Sequence, residues 1–134
     1  MKERTLGQYF THPEVAKFMV DLINPKDGER VIDPSCGDGE FFKHVHNKNP
    51  NTYTYGCEID ECVYLEAKKN NPNSLIYLHD GLYSHILKEG EEDISEVIAE
   101  GTFNAVIANP PFNGLSNKIK DKDILSLFEV GHNN

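Results

Sequence analysis

Four places in the chain set residues capable of chemistry at the ends of apolar runs. The first is Val31-Ile-Asp-Pro-Ser-Cys-Gly-Asp-Gly-Glu-Phe-Phe42, where Asp33 and Asp38 accompany Gly37 and Gly39. Two glycines let a backbone turn tightly and come close to a ligand, and a helix opening near Gly39 would aim free N–H groups into the same crevice. The two acids would repel a pyrophosphate and suit an amino group or a sulfonium cation. Phe42 stands where a dinucleotide fingerprint needs its third glycine, and no Gly-Lys-Ser/Thr follows to cradle a triphosphate. The pattern therefore points to a nucleoside-type cofactor, against the plainer reading of a strand, a turn and a helix.

The other places come later. Glu58 lies nineteen residues beyond Gly39, where an acidic side chain at the end of the second strand of such folds takes ribose hydroxyls. Ile59 beside it offers an apolar surface for a base. Asp80 precedes Gly81 at a third strand tip, and on local grounds it is equally a turn residue. Asn109-Pro-Pro-Phe112 ends a fourth run. Its prolines stiffen the backbone and remove two N–H donors, leaving the Pro110 carbonyl as an acceptor beside the Asn109 amide oxygen. With the Phe112 ring, this cluster can hold a planar –NH2 by both protons, although Asn-Pro-Pro also ends ordinary strands.

The intervening sequence predicts the elements that must bring these tips together. Thr11 or His12 can cap a helix with Pro13 in its first turn, and that helix should stop by Asn24 and Pro25. Val15, Phe18, Met19, Leu22 and Ile23 recur at helical spacing, so they are expected to bury one face. Strands are predicted from Val31, over 53–57, over 75–78 and over 103–108, the last apolar enough to be central or well covered. Asp60 can cap the helix after the second strand. Residues 82–100 read as one broken helix or two short ones around Gly90, and 118–131 as an amphipathic helix carrying Ile124, Leu127 and Phe128. The fold class expected is α/β.

At 134 residues the chain is one domain, short for a complete α/β enzyme. Its 38% hydrophobic and 26% charged residues describe a soluble globular protein. It shows no leader-like start and no apolar run of membrane-spanning length, so a cytoplasmic location is expected. Cys36, Cys57 and Cys62 lack paired metal-ligand spacing and read as reduced, mostly buried thiols. The net charge of −9 disfavours phosphate binding, and the acid-rich stretch from Glu89 to Asp93, continuing to Glu96 and Glu100, reads as a solvated helix face.

In this order the motifs resemble the amino-terminal part of N6-adenine DNA methyltransferases, in particular the modification subunits of type I restriction systems. Gly7-Gln-Tyr-Phe-Thr-His-Pro13 looks like the family's N-terminal motif, and Asp33-Pro-Ser-Cys-Gly-Asp-Gly39 like its S-adenosylmethionine loop. The resemblance spans 7–112 and implies a Rossmann-like doubly wound sheet, cut off after its fourth strand. It divides the chain into the N-terminal motif and helix (1–28), a cofactor-binding core (29–112) and a C-terminal helix (113–134). It implies that Thr11 helps hold the methionine moiety, with Asp33, Ser35 and Gly37 lining its path. Glu58 would take the ribose hydroxyls, Ile59 would pack on the cofactor adenine and Asp80 would accept from its amino group. Asn109 and the Pro110 carbonyl would receive the amine of a flipped target adenine stacked on Phe112. No metal is implied.

The sequence ends twenty-two residues after Phe112 and carries nothing like a basic groove. DNA would then be met through a missing domain or a partner subunit, and an uncovered sheet edge would favour self-association. The reading that follows is an S-adenosylmethionine-binding piece of a DNA adenine methyltransferase. Two others compete with it. A protein glutamine presents the same planar –NH2, so the chain could instead methylate a side-chain amide, and it could also be a non-catalytic module that binds cofactor or a subunit.

Overall fold

Chain punctuation sets the elements of the computed structural model, which describes residues 3–4, 8–81, 87 and 89–110. Phe112 and the expected helix over 118–131 lie outside the described residues, as do 82–86 and 88. A two-residue antiparallel pair, β1 (Glu3–Arg4) and β2 (Gln8–Tyr9), leads in. Helix α1 (Pro13–Ile23) follows, with Pro13 in its first turn and the His12 ring nitrogen accepting from the Glu14 N–H at 3.2 Å. It ends at Asn24, whose left-handed backbone (φ 43°) closes the helix by donating to the Val20 carbonyl.

Three strand-helix units come next: β3 (Arg30–Asp33) with α2 (Glu40–Lys48), β4 (Tyr53–Glu58) with α3 (Glu61–Asn70), and β5 (Leu75–Leu78) with the short α4 (Ser95–Ala99) before β6 (Ala105–Val106). Asp60 caps α3 by accepting from the Val63 N–H at 3.1 Å. All pairings within the four-stranded sheet are parallel and its strand order is β5-β4-β3-β6. The chain steps outward from β3 to β4 and β5, then returns to the opposite side of β3. This reversal makes the carboxyl ends of β3 and β6 the topological switch point, the place where open α/β sheets hold ligands.

The core forms where α1 and α2 lie on this sheet. Ala16 and Val20 of α1 meet Val31, Phe41, Val45 and Ile107, all essentially out of solvent. A second cluster joins Phe42 to Tyr64, Ala67 and Ile76. The expected inward face of α1 is corrected by this packing. Met19 and Ile23 do press on the core, whereas Val15, Phe18 and Leu22 are 50%, 62% and 69% exposed. Small Ala16 lets α1 approach α2 closely, so the buried seam lies one step round the helix from the bulkier stripe.

Two further expectations need correction. The strand expected over 103–108 is paired only at Ala105 and Val106, extended by Asn104 and Ile107 N–H groups donating to Arg30 and Ile32 carbonyls. Among the described residues it borders only β3, an edge position, with Ile107 buried and Val106 64% exposed. The acid-rich stretch is a solvated helix face only at Glu96, exposed on α4. Glu92 takes the Tyr64 hydroxyl and the Leu78 N–H through its carboxylate and donates its own N–H back to Leu78, while Glu91 accepts from the Asp80 N–H. These acids occupy the outer edge of β5, satisfying backbone groups that an edge strand would otherwise expose.

Of the cysteines, Cys36 and Cys57 are buried free thiols and Cys62 is exposed. No described helix is long and apolar enough to cross a membrane.

Candidate functional site at the strand tips

The loop after β3 is held from three sides. Gly37 and Gly39 have φ of 57° and 82°, the left-handed region that costs other residues about 1–2 kcal/mol. A side chain on Gly39 would also strike the amide of Asn71. Asn71 itself is buried, donating to the Asp38 and Ala67 carbonyls at 3.3 and 3.0 Å, so it ties the loop to the end of α3. From below, the Cys36 N–H donates to the Cys57 carbonyl. Glu58 completes the support. Its carboxylate accepts from the Gly37 N–H at 3.0 Å and the Asp60 N–H at 2.8 Å.

Above this loop lies an open hollow at the switch point. Phe10, Thr11, Asp33, Ser35, Gly37 and Asn109 line it, with Cys36, Asp38, Glu40 and Phe41 completing the wall. The sites read from sequence are therefore brought together in part. Thr11, Asp33, Ser35, Gly37 and Asn109 share one cavity although they span nearly the whole described chain. Thr11 and Asn109 touch directly, the Asn109 amide nitrogen donating to the Thr11 hydroxyl at 3.2 Å. Glu58 and Asp80 are not among the lining residues. Glu58 is 4% exposed and reaches the hollow only through Gly37. Asp80 sits at the neighbouring tip, where Gly81 packs against the Pro34 carbonyl. Ile59 is half exposed beside Glu58, and Pro110 is exposed next to Asn109.

The electrostatics of the hollow are acidic. Asp33 is buried and its carboxyl is pushed from 3.8 up to about 7, first by burial and then by the charge of Glu58, against the opposing hydrogen bond from the Ser35 N–H. Asp38 is raised as well, mainly by burial. Burial lifts the Cys36 thiol far above its ordinary value and Cys57 to about 12, so neither is a thiolate nucleophile at neutral pH. No lysine or arginine is among the described lining residues. The Ser35 hydroxyl is shielded from water with no hydrogen-bond partner among the described residues. A buried acid without a cation and an unanswered hydroxyl fit a ligand that brings positive charge and polar groups, and do not fit a phosphate.

Phe10 and Asn71 stand outside the candidate site residues read from the sequence, yet both shape the site. Phe10 stands over Gly37, its ring 3.4 Å from where a β-carbon there would lie. The only advance signal was position: Phe10 adjoins Thr11 in the N-terminal motif, and Asn71 follows the last turn of α3.

A parallel sheet with a glycine loop at its switch point and acids on successive strand tips is a Rossmann-like arrangement with an open hollow at the place where such sheets hold ligands. The chain belongs to the N-6 DNA methylase family, whose model matches residues 1–131. It is 31% identical over 117 residues to the type I restriction enzyme MjaVIII methylase subunit of Methanocaldococcus jannaschii, covering 80% of this chain and 20% of that one. To the EcoEI methylase subunit of Escherichia coli it is 29% identical over 123 residues, with 81% and 24% covered. Among solved structures, a modification subunit ascribed to a type I restriction enzyme of Vibrio vulnificus superposes with a TM-score of 0.64 at 24% identity, over 91% of this chain and 26% of the other. That last likeness speaks to the fold. The chain thus spans about a quarter or less of the length of these relatives.

Proposed function

We propose that this chain is the S-adenosylmethionine-binding part of a DNA adenine N6-methyltransferase. The observation that carries the reading is the direct meeting of Asn109 and Thr11 at a hollow lined by the buried Asp33, with no lysine or arginine among the described lining residues. Bound S-adenosylmethionine would supply an activated methyl group on a sulfonium. Asp33 and Asp38 would balance its positive charge, and Ser35 and Gly37 would line the path of its methionine end. Glu58 would take the ribose hydroxyls while its carboxylate supports the loop through the Gly37 and Asp60 N–H groups. Ile59 would pack on the adenine and Asp80 would accept from its amino group.

On the acceptor side, an exocyclic amine conjugated to its ring is a poor nucleophile. The Asn109 amide oxygen and the Pro110 carbonyl would take its two protons and draw the nitrogen lone pair out of conjugation. Phe112, by the family resemblance, would stack on the extruded base. The rate gain comes from positioning and fixed dipoles.

The relatives named as type I methylase subunits are several times longer, and each is named as one subunit of a restriction enzyme. With a net charge of −9 and no basic groove, this chain would meet DNA through further sequence or a partner subunit. The β6 edge with exposed Val106 is the surface through which it would self-associate, and the cytoplasm is its proposed location.

The test is transfer of labelled methyl groups to an adenine-containing DNA duplex and, in parallel, to a glutamine peptide, each with and without a type I specificity subunit. Label in DNA adenine is expected. Label only in the peptide would replace the reading with amide methylation, and tight cofactor binding with no transfer under any condition would replace it with a binding module.

A further inference from the structure

We infer that Thr11 is a positioning residue for the asparagine that receives the target amine, acting through its hydroxyl on the Asn109 side chain rather than on the cofactor. The inference rests on the function proposed above and assigns Thr11 a role within it. An asparagine amide at the end of a strand has two nearly isosteric orientations, related by a half-turn about its last bond. One turns the oxygen toward an incoming amine and the other turns the –NH2, which meets the amine donor to donor. Only the first can accept a proton from the amine.

In the structure the –NH2 is the end that faces Thr11. The Asn109 nitrogen donates to the Thr11 hydroxyl at 3.2 Å across 98 residues of sequence, and with the –NH2 engaged there the amide oxygen must turn to the other side of the side chain. The hydroxyl accepts this bond, and a valine methyl in its place could not. Thr11 is itself fixed from both sides. Phe10 before it lies over Gly37, and His12 after it caps α1, whose Ala16 and Val20 are locked into the core. The short run from Phe10 to His12 thereby joins the glycine loop, the amide of β6 and a buried helix, so that the amide orientation is referred to the same frame as the cofactor loop.

Thr11→Val keeps the shape and removes the hydroxyl, and Thr11→Ser keeps the hydroxyl. Two readouts separate this inference from the function on which it rests. In nitrogen-15 spectra of the ligand-free chain, the Asn109 side-chain amide protons are expected to be dispersed and slow to exchange in wild type and Thr11→Ser, and to collapse toward free-amide positions in Thr11→Val. In methyl transfer to DNA, Thr11→Val is expected to lose at least about tenfold in kcat, with KM for S-adenosylmethionine within about twofold and Thr11→Ser within about threefold of wild type. An Asn109 amide indifferent to Thr11→Val overturns the inference whatever the activity. So does a raised KM with unchanged kcat, or a loss that serine does not restore. Absence of methyl transfer to DNA by the wild type sinks the proposed function, and the amide spectra then decide the Thr11 contact by themselves.

Discussion

Asp33→Asn is expected to raise the thermal midpoint of the ligand-free protein at pH 8 while removing its affinity for S-adenosylmethionine. The Asp33 carboxyl is 1% exposed and its folded-state value is about 7 against an ordinary 3.8, so the fold favours the neutral acid. The stabilisation tied to that neutral form is complete below the unfolded value and disappears as pH rises through about 7. At pH 8 the native protein therefore carries an ionised carboxylate in a poorly solvated place. Asparagine keeps an oxygen for the Ser35 N–H, bonded at 3.0 Å, and carries no charge. A shift of this size corresponds to a ceiling of about 4 kcal/mol, and the expected gain at pH 8 is about 1–4 kcal/mol, several degrees in Tm. At pH 4 the two proteins should melt almost together. The same substitution removes the charge that answers a cationic ligand, so calorimetry at pH 8 should show binding weakened by at least about a hundredfold. A variant that melts lower than wild type at pH 8, or that binds the cofactor normally, would show that Asp33 is already compensated.

Asn109→Ala is expected to abolish transfer while leaving the cofactor side intact. Asn109 reaches the hollow from β6, on the far side of β3 from Glu58 and Asp80, so its removal leaves Asp33, Ser35, Gly37 and the Glu58 support in place. If its amide oxygen accepts from the target amine as that nitrogen becomes nucleophilic, the lost interaction is largest in the transition state. Loss of one such preorganised dipole typically costs about a hundredfold to a thousandfold in kcat. The Kd for S-adenosylmethionine should stay within about threefold. Weakened cofactor binding with unimpaired turnover would move Asn109 from the acceptor side to the donor side. The substitution also leaves the Thr11 hydroxyl without its partner, a modest stability cost of about 1 kcal/mol for a partly exposed neutral bond.

The elements that hold the site were legible where a residue type admits few backbone choices. Pro13 and Asn24 bracket α1, Gly37 and Gly39 mark the loop, and Asp60 announces α3, because each acts on its own neighbourhood. The parallel strands showed as apolar runs for the same reason. What failed was decided at a distance. The buried seam of α1 depends on how closely α2 approaches Ala16, and no periodicity within the helix reveals that. The shortening of β6 to two paired residues likewise depends on its register against β3. Single polar atoms were harder still. Glu58 was read as facing a ligand, whereas in the fold it also ties down Gly37 and Asp60, and Glu91 and Glu92 turned from a solvated face into partners of β5. A hydrogen bond such as that between Thr11 and Asn109 leaves no pattern in sequence. It exists because two loops end at one switch point.

The central claim is that the β3 loop and its neighbouring tips form one cavity for a positively charged methyl donor. Titration of the isotope-labelled chain with S-adenosylmethionine, followed residue by residue in nitrogen-15 spectra and by calorimetry, addresses it most directly. One saturable site per chain is expected, with the Ser35, Gly37, Glu58 and Asp80 amides moving together and binding sharply weakened in Glu58→Ala. No heat and no shifts, or shifts confined to residues away from the β3 loop, would contradict it.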